Sequence, residues 1–378
     1  MRDKRVGIIT FHHSYNCGSM LQAFALQSVV EQLGYEAEII DFSNAGQKQL
    51  YSVTQPNNTI KNILKNIILF PYKARIKKNF DSFEEFKNTE FHLSLESYSH
   101  MEQLTDSRYF SVVTGSDQVW NITIEDGDDA YYLPWVKKAR KVAYAPSFGA
   151  KNVMKYADNP EKYKTYLSDF KALSIREVNG KRWIKDLVGK DVPVLLDPTL
   201  LLDASDYDRI ADKSLNLPDK YIFFYSPSYQ KNIVHLVECV SKKYHLPVIA
   251  FNTKTFYVKG MQRTGFKLPE IENPRSYLTL IKKATLIMTT SFHGTVFPTI
   301  FRKRVWVIKN GGMFGDDDRV KTLIKELGIE DRLIPIEYKE YFNYMKMVDY
   351  SYYDKELPIL QNMAIQFLKD SLDTTNEE

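Results

Sequence analysis

Short apolar runs alternate with stretches of helical period along most of the chain. Residues 6–11 form a largely apolar run of strand length, and residues 19–33 follow with Leu21, Phe24, Ala25 and Val29 at helical spacing. Gly34 stands where a helix C′ glycine belongs, and residues 36–42 read as the next strand. Strand, helix and strand in that order specify a parallel pair joined by a right-handed crossover. The pattern then pauses: residues 44–105 are polar and read as a helical insertion, with helices near 59–67 and 72–86. It resumes with strands at 109–114, 141–146, 172–175 and 192–196 and helices at 159–171 and 179–188.

The second half restarts the same alternation. Strands are predicted at 220–225, 246–251, 284–289 and 304–308, and helices at 231–244, 274–283, 294–301, 318–327 and 354–372. Polar and charged residues gather at 203–218, around Asn216, Pro218 and Asp219, where a domain boundary is expected. The expectation is an α/β protein of two Rossmann-like domains facing a central cleft: residues 1–210 with the insertion, residues 211–350, and a C-terminal helix in 351–378 packing back on the first domain. Open parallel sheets bind ligands beyond the carboxyl ends of their strands.

Composition adds exclusions. The 378 residues carry a formal net charge of +4, which mildly favours anionic ligands and gives no argument for nucleic acid. The two cysteines, Cys17 and Cys239, fall in different halves, so a reducing compartment is expected rather than a disulfide framework. The first apolar run is too short for a signal-peptide core. No apolar run approaches the ~20 residues of a membrane span, and residues 60–70 are interrupted by Lys61, Asn62, Lys65 and Asn66. These features predict a soluble cytoplasmic protein. The 25 tyrosines can line a sugar-binding cleft, but half-buried core is the plainer reading.

Four segments at strand ends carry candidate chemistry. His12 to Ser19 follow the first strand, are polar, and end at a helix start, where free N–H groups suit an anion; a loop capped by Asn16 or Ser19 is the plainer alternative. Thr114 to Asn121 offer Ser116, Asp117 and Gln118, with Asp117 able to take a proton from a sugar hydroxyl and Trp120 able to stack on a sugar or simply pack. In Ser174-Ile175-Arg176-Glu177, Arg176 suits a bidentate carboxylate or phosphate clamp, or else a surface pair with Glu177. Thr289 to Thr295 converge three hydroxyls, His293 and Gly294 on one helix start, as a phosphate site does, or as a capped turn does. Asp197, before Pro198, reads as structural. No His, Cys or carboxylate cluster shows metal-ligand spacing, and the three glycines of a dinucleotide fingerprint are missing, so neither metal nor cofactor is expected.

Taken in order, Gly7 to Phe11 with Asn16 to Ala23, Gly115 to Asn121, Tyr144 to Gly149, Ser174 to Glu177, Leu196 to Thr199 and Thr290 to Thr295 resemble the polysaccharide pyruvyl transferase family. The resemblance implies a fold like that of GT-B glycosyltransferases, phosphoenolpyruvate as donor, and a sugar of a bacterial surface glycan as acceptor. A lipid-linked oligosaccharide at the inner membrane face is the expected form of that acceptor. It places donor binding at Arg176 and His293. Many members carry Arg-Leu-His-Gly where this chain has Ser291-Phe292-His293-Gly294, so a donor-binding arginine is missing at Ser291; Lys309, Arg302 and Arg319 are the candidate substitutes. The roles expected are Asp117 as base, His293 as acid or phosphate ligand, and Arg176 as clamp. Asn16, Ser116, Gln118, Trp120, Thr290, Ser291, Gly294 and Thr295 are expected to contact substrate. Lys61, Lys65, Lys73, Arg75, Lys77 and Lys78 suit anionic lipid, or are a solvated basic face. A nucleotide-sugar-dependent glycosyltransferase of the same architecture and a non-catalytic glycan-binding protein are the rival functions.

Overall fold

The computed structural model describes residues 4–309 and 318–373. Its first six strands are β1 (Arg5–Ile9), β2 (Glu36–Phe42), β3 (Leu93–Tyr98), β4 (Ser111–Thr114), β5 (Arg140–Ala143) and β6 (Ala172–Leu173), and they form one sheet in the order β3-β2-β1-β4-β5-β6. A second sheet holds β7 (Ile222–Tyr225), β8 (Val248–Ala250), β9 (Leu286–Thr289), β10 (Val305–Ile308) and β11 (Leu333–Ile334), in the order β11-β10-β9-β7-β8. Every pairing between these strands is parallel. Parallel strands covered by helices are buried on both faces and therefore read as near-continuous apolar runs; β4, β7, β9 and β10 are buried at every position.

The first helix, Cys17–Gln32, departs from the expected one-sided pattern. It is buried on all sides through its first eleven residues, as a helix apolar all round must be. It packs against β2, the strand that follows it, the helix Pro274–Lys283 of the second half and the short turn Pro198–Leu200. Asn16 caps its start through Oδ1, and Gly34 follows its end with φ +88°, the left-handed conformation expected of a C′ glycine. The polar helix Lys73–Glu90 also reaches the second half: Asn79 Nδ2 donates to Thr253 Oγ1 (3.1 Å) and Glu272 Oε2 (3.2 Å). The last helix, Ser351–Leu372, lies against the first half, with Gln361 Nε2 donating to Leu200 O at 2.7 Å and Phe367 beside Tyr144.

Several predicted elements change. β3 lies inside the stretch read as helical; its polar sequence, with Leu95 turned to solvent, hides the strand period. Residues 192–196 do not form a strand and make only the single bridge Ile175↔Val194, through Pro193 O and Leu195 N; Pro193 has no N–H to extend the ladder. β1 ends at Ile9, two residues early, where the chain folds back and His12 N donates to Thr10 O at 2.8 Å.

Candidate active site

The candidate segments sit where β1, β4, β6 and β9 end. Two of them, and the Asp197 turn beside them, are fixed by side-chain caps. Asn16 Oδ1 accepts the Gly18 N–H at 2.9 Å. Ser291 Oγ accepts the Gly294 N–H at 3.3 Å and caps the helix Phe292–Ile300. Asp197 Oδ1 accepts the Thr199 N–H at 3.1 Å and hydroxyl at 2.6 Å, capping Pro198–Leu200. A side-chain oxygen at such a position satisfies an N–H that the helix cannot.

Asp197 is the centre on which these segments converge. Its Oδ2 accepts from Arg176 Nη1 at 2.6 Å and from Ser116 Oγ at 3.3 Å, and faces His293 Nε2 at 3.3 Å. Arg176 Nη2 lies 3.5 Å from Asp117 Oδ1, and the face of Phe292 lies 4.4 Å from the guanidinium. Asp117 Oδ2 accepts from Ser19 Oγ at 2.5 Å. On its other side the His293 ring meets Gly18, where an added Cβ would lie 2.1 Å from Nδ1. Residues from both sheets thus meet at one buried cluster of two carboxylates, one guanidinium and one imidazole.

Burial alone would push the Asp197 carboxyl up; His293, Arg176 and the Thr199 hydroxyl outweigh it and hold the group below the usual carboxylate range. Burial likewise acts against ionisation of Asp117, and is outweighed by Arg176, His293 and Ser19, so its pKa is lowered. Two carboxylates beside one Arg therefore remain ionised, and the Arg is held in place from two sides.

Two expectations are corrected, the sugar contact of Trp120 and the surface pair of Arg176 with Glu177, and other candidate residues have partners within the protein. Trp120 does not face a ligand: it is fully buried, stacks on Tyr132 at 5.3 Å, and donates Nε1–H to Tyr131 O at 3.1 Å. Its polar handle is already satisfied in the core. Gly294 is small because an added Cβ would lie 2.2 Å from Thr289 Oγ1. Thr295 Oγ1 bonds back to Ser291 O (3.0 Å), and the buried Thr290 Oγ1 donates to Ser226 Oγ (3.0 Å). Gln118 Oε1 accepts from Asn121 Nδ2 at 3.3 Å. Arg176 and Glu177 are not a surface pair, since both are buried; Glu177 Oε1 accepts the Phe148 N–H at 2.8 Å and the Ser147 hydroxyl at 3.1 Å, and burial pushes its pKa up to about 7. Among the candidate replacement cations, Arg302 pairs with Asp354 and Lys309 is exposed, whereas Arg319 is buried close enough to Glu177 to favour its charged form.

Three groups escaped the reading of the sequence. Asp197 follows the apolar run 192–196 and precedes Pro198, so it reads as a turn cap, and its role shows only through the distant Arg176 and His293. Gly18 shows its importance only through the distant His293. Asp126 sits in a polar stretch with no distinguishing pattern, yet it is buried beside Ser14 Oγ (3.5 Å), and burial first, then Asp117, pushes its pKa up to about 6. The expectation of no metal-ligand grouping is also revised. His12 Nε2 lies 2.9 Å and His13 Nδ1 3.7 Å from Asp41 Oδ1, a donor set able to take a divalent ion, and it shares no residue with the Asp197 cluster. A surface hollow of about 550 Å³ beside Asn44, His100 and Asp128 contains none of the clustered residues.

The model of the family described as polysaccharide pyruvyl transferase matches residues 16–312. The chain belongs to the polysaccharide pyruvyl transferase family. The matched region of this pyruvyl transferase homologue includes Asp117, Arg176, Asp197 and His293. No match is found among curated proteins. Among solved structures, the S. aureus MnaA–UDP structure is similar over 99% of this chain and 98% of its own, with 16% identity and a TM-score of 0.51. A UDP-GlcNAc 2-epimerase from Neisseria meningitidis bound to UDP-GlcNAc is similar over 97% and 100%, with 12% identity and a TM-score of 0.47. The likeness to MnaA, together with the two parallel sheets, gives this family member the two-Rossmann GT-B fold.

Proposed function

We propose that the protein transfers the pyruvyl group of phosphoenolpyruvate onto a sugar of a bacterial surface polysaccharide precursor, forming a cyclic pyruvate ketal and releasing phosphate. The observation that carries this reading is the Arg176–Asp197–His293 cluster at the ends of β6 and β9, in a chain of this family. In the proposed reaction one sugar hydroxyl adds to C2 of the donor while C3 takes a proton. The C–O bond to phosphate then breaks, and a second hydroxyl adds to the oxocarbenium carbon. Of the two hydroxyl protons, one balances the proton gained at C3 and the other leaves with phosphate.

That sequence calls for an acid at C3, a base at the hydroxyls and cationic groups for donor charge. His293 serves as acid or phosphate ligand, and Arg176 as the carboxylate or phosphate clamp. Asp117 remains the proposed base for the first hydroxyl, although its lowered pKa makes it a weak one. Asp126, held near 6, is better matched to exchange protons near neutrality and is added as a second candidate. Ser291 and Thr290 stay as hydroxyls near the phosphate, and Asn16, Ser116, Gln118, Gly294 and Thr295 as the surrounding wall. Arg319 is the proposed replacement for the cation missing at Ser291, because it is buried and influences Glu177, the neighbour of Arg176. The acceptor is a lipid-linked oligosaccharide met at the inner membrane face.

The test is phosphate release from phosphoenolpyruvate in the presence of galactose-, glucose- or mannosamine-terminated lipid-linked acceptors. Acceptor-dependent release is expected. No release across the panel, or turnover of a nucleotide sugar instead, overturns the proposal.

A further inference from the structure

The helix Ile60–Leu69 turns its apolar side outward. Ile60, Leu64, Ile67 and the neighbouring Phe70 are 77%, 54%, 63% and 75% exposed, and Ile63 and Ile68 are also exposed. At 100° per residue, positions 60, 63, 64, 67 and 68 form one stripe, while Leu69 on the opposite side is buried. A surface helix normally does the reverse, presenting its apolar stripe to the core. The orientation is fixed, not accidental. Asn66, on the inner side, donates Nδ2–H to Gln55 O (2.7 Å) and accepts the Gln55 N–H (3.1 Å). Tyr72 stacks on Tyr257 with ring planes 6° apart, anchoring the far end on the second half. Contiguous exposed apolar area of this kind marks an interaction surface.

Charge selects the occupant. Between Asp41 and Asp81 the sequence contains no Asp or Glu but seven bases: Lys48, Lys61, Lys65, Lys73, Arg75, Lys77 and Lys78. That stretch is +7, against +4 for the whole chain. Lys61 and Lys73 flank the apolar stripe and are exposed, while Lys77 and Lys78 are partly offset by Asp81 and Glu270. An apolar stripe edged by cations matches the boundary of an anionic bilayer, where side chains enter the acyl region and lysines meet the headgroups. No helix among the described residues is long and apolar enough to cross a membrane, so the contact is one of lying on the surface.

We propose that Ile60–Phe70 docks the protein on an anionic membrane surface through its outward apolar stripe and flanking lysines. The docking deepens the functional reading, since it brings the cleft to a lipid-linked acceptor, but its test needs no substrate. The full chain is sedimented with vesicles of phosphatidylglycerol and phosphatidylcholine, and with phosphatidylcholine alone. Binding is expected on the anionic vesicles, lowered ~10-fold or more by Leu64→Glu with Ile67→Glu, and ~10-fold by Lys61→Gln with Lys73→Gln, with the thermal midpoint kept in both. Failure of the wild-type chain to bind anionic vesicles overturns the proposal, as does binding unaffected by the Leu64→Glu, Ile67→Glu pair. A wild-type dimer that this pair converts to monomer, without vesicle binding, assigns the stripe to a second copy instead. Vesicle binding by a chain that releases no phosphate leaves the docking intact and removes the donor assignment.

Discussion

His293 Nε2 faces Asp197 Oδ2 at 3.3 Å, joining the turn after β9 to a loop of the first half that ends no strand. The same oxygen accepts from Arg176, so one carboxylate sets the position of both proposed donor-binding groups. Asp197→Asn keeps the shape but removes the charge that faces them. It is expected to lower kcat/KM by ~10²-fold and to destabilise the fold by about 3–5 kcal/mol, because Arg176 is left in a buried site with a weaker partner. Steady-state rates and urea unfolding check the two effects separately. Lost stability with turnover intact would confine Asp197 to a structural role.

Gly18 offers a test of how tightly the imidazole must be held. A Cβ there would lie 2.1 Å from His293 Nδ1, a distance only ring movement can relieve, and the ring is buried. Gly18→Ala is expected to lower kcat/KM ~10-fold or more. Because Gly18 and His293 touch, the loss in Gly18→Ala with His293→Ala is expected to be well below the sum of the single losses. Additive losses would show that Gly18 acts through something other than the ring.

Glu177 links the site to pH. Burial raises its pKa to about 7, above its ordinary value of about 4.5. The folded chain therefore holds a proton that the unfolded chain has already released. Stability is full below about pH 4.5 and declines as pH rises toward 7, by about 3 kcal/mol at most. Glu177→Gln cannot ionise, so its unfolding free energy is expected to fall less between pH 5 and 8 than that of the wild type. Parallel pH profiles for the two proteins would contradict a raised pKa at Glu177.

The sequence carried the parallel α/β fold and the family because both rest on local signals. Apolar runs such as β4 and β9 are continuous where strands are buried on both faces, and motifs such as Asn16 to Gly18 cap the helices that follow them. It did not carry what depends on contacts far along the chain. Asp197 lies 96 residues from His293, and nothing local distinguishes its carboxylate from a turn cap. Trp120 looked like a sugar platform because its neighbours Asp117 and Gln118 are polar; the ring turns inward from them onto Tyr132. β3 was hidden because an edge strand that leaves Leu95 in solvent lacks the alternation of a half-buried one.

His293 bears most of the proposed chemistry. The residue is 7% exposed and its ring is held between Asp197 and Gly18, which fixes its direction. A histidine so held can deliver a proton to the C3 methylene or neutralise the departing phosphate. Either role predicts that His293→Ala lowers kcat ~10²-fold or more. The fold is expected to survive, because Asp197 keeps its bond to Arg176. His293→Gln separates the roles, since an amide donates a hydrogen bond but transfers no proton. Restoration of most of the rate by Gln identifies a phosphate ligand. If Gln is as slow as Ala, the histidine is the acid, and the limb on which kcat falls with rising pH should vanish in both variants. Near wild-type turnover in His293→Ala would remove both roles and leave the turn as the cap of the helix Phe292–Ile300.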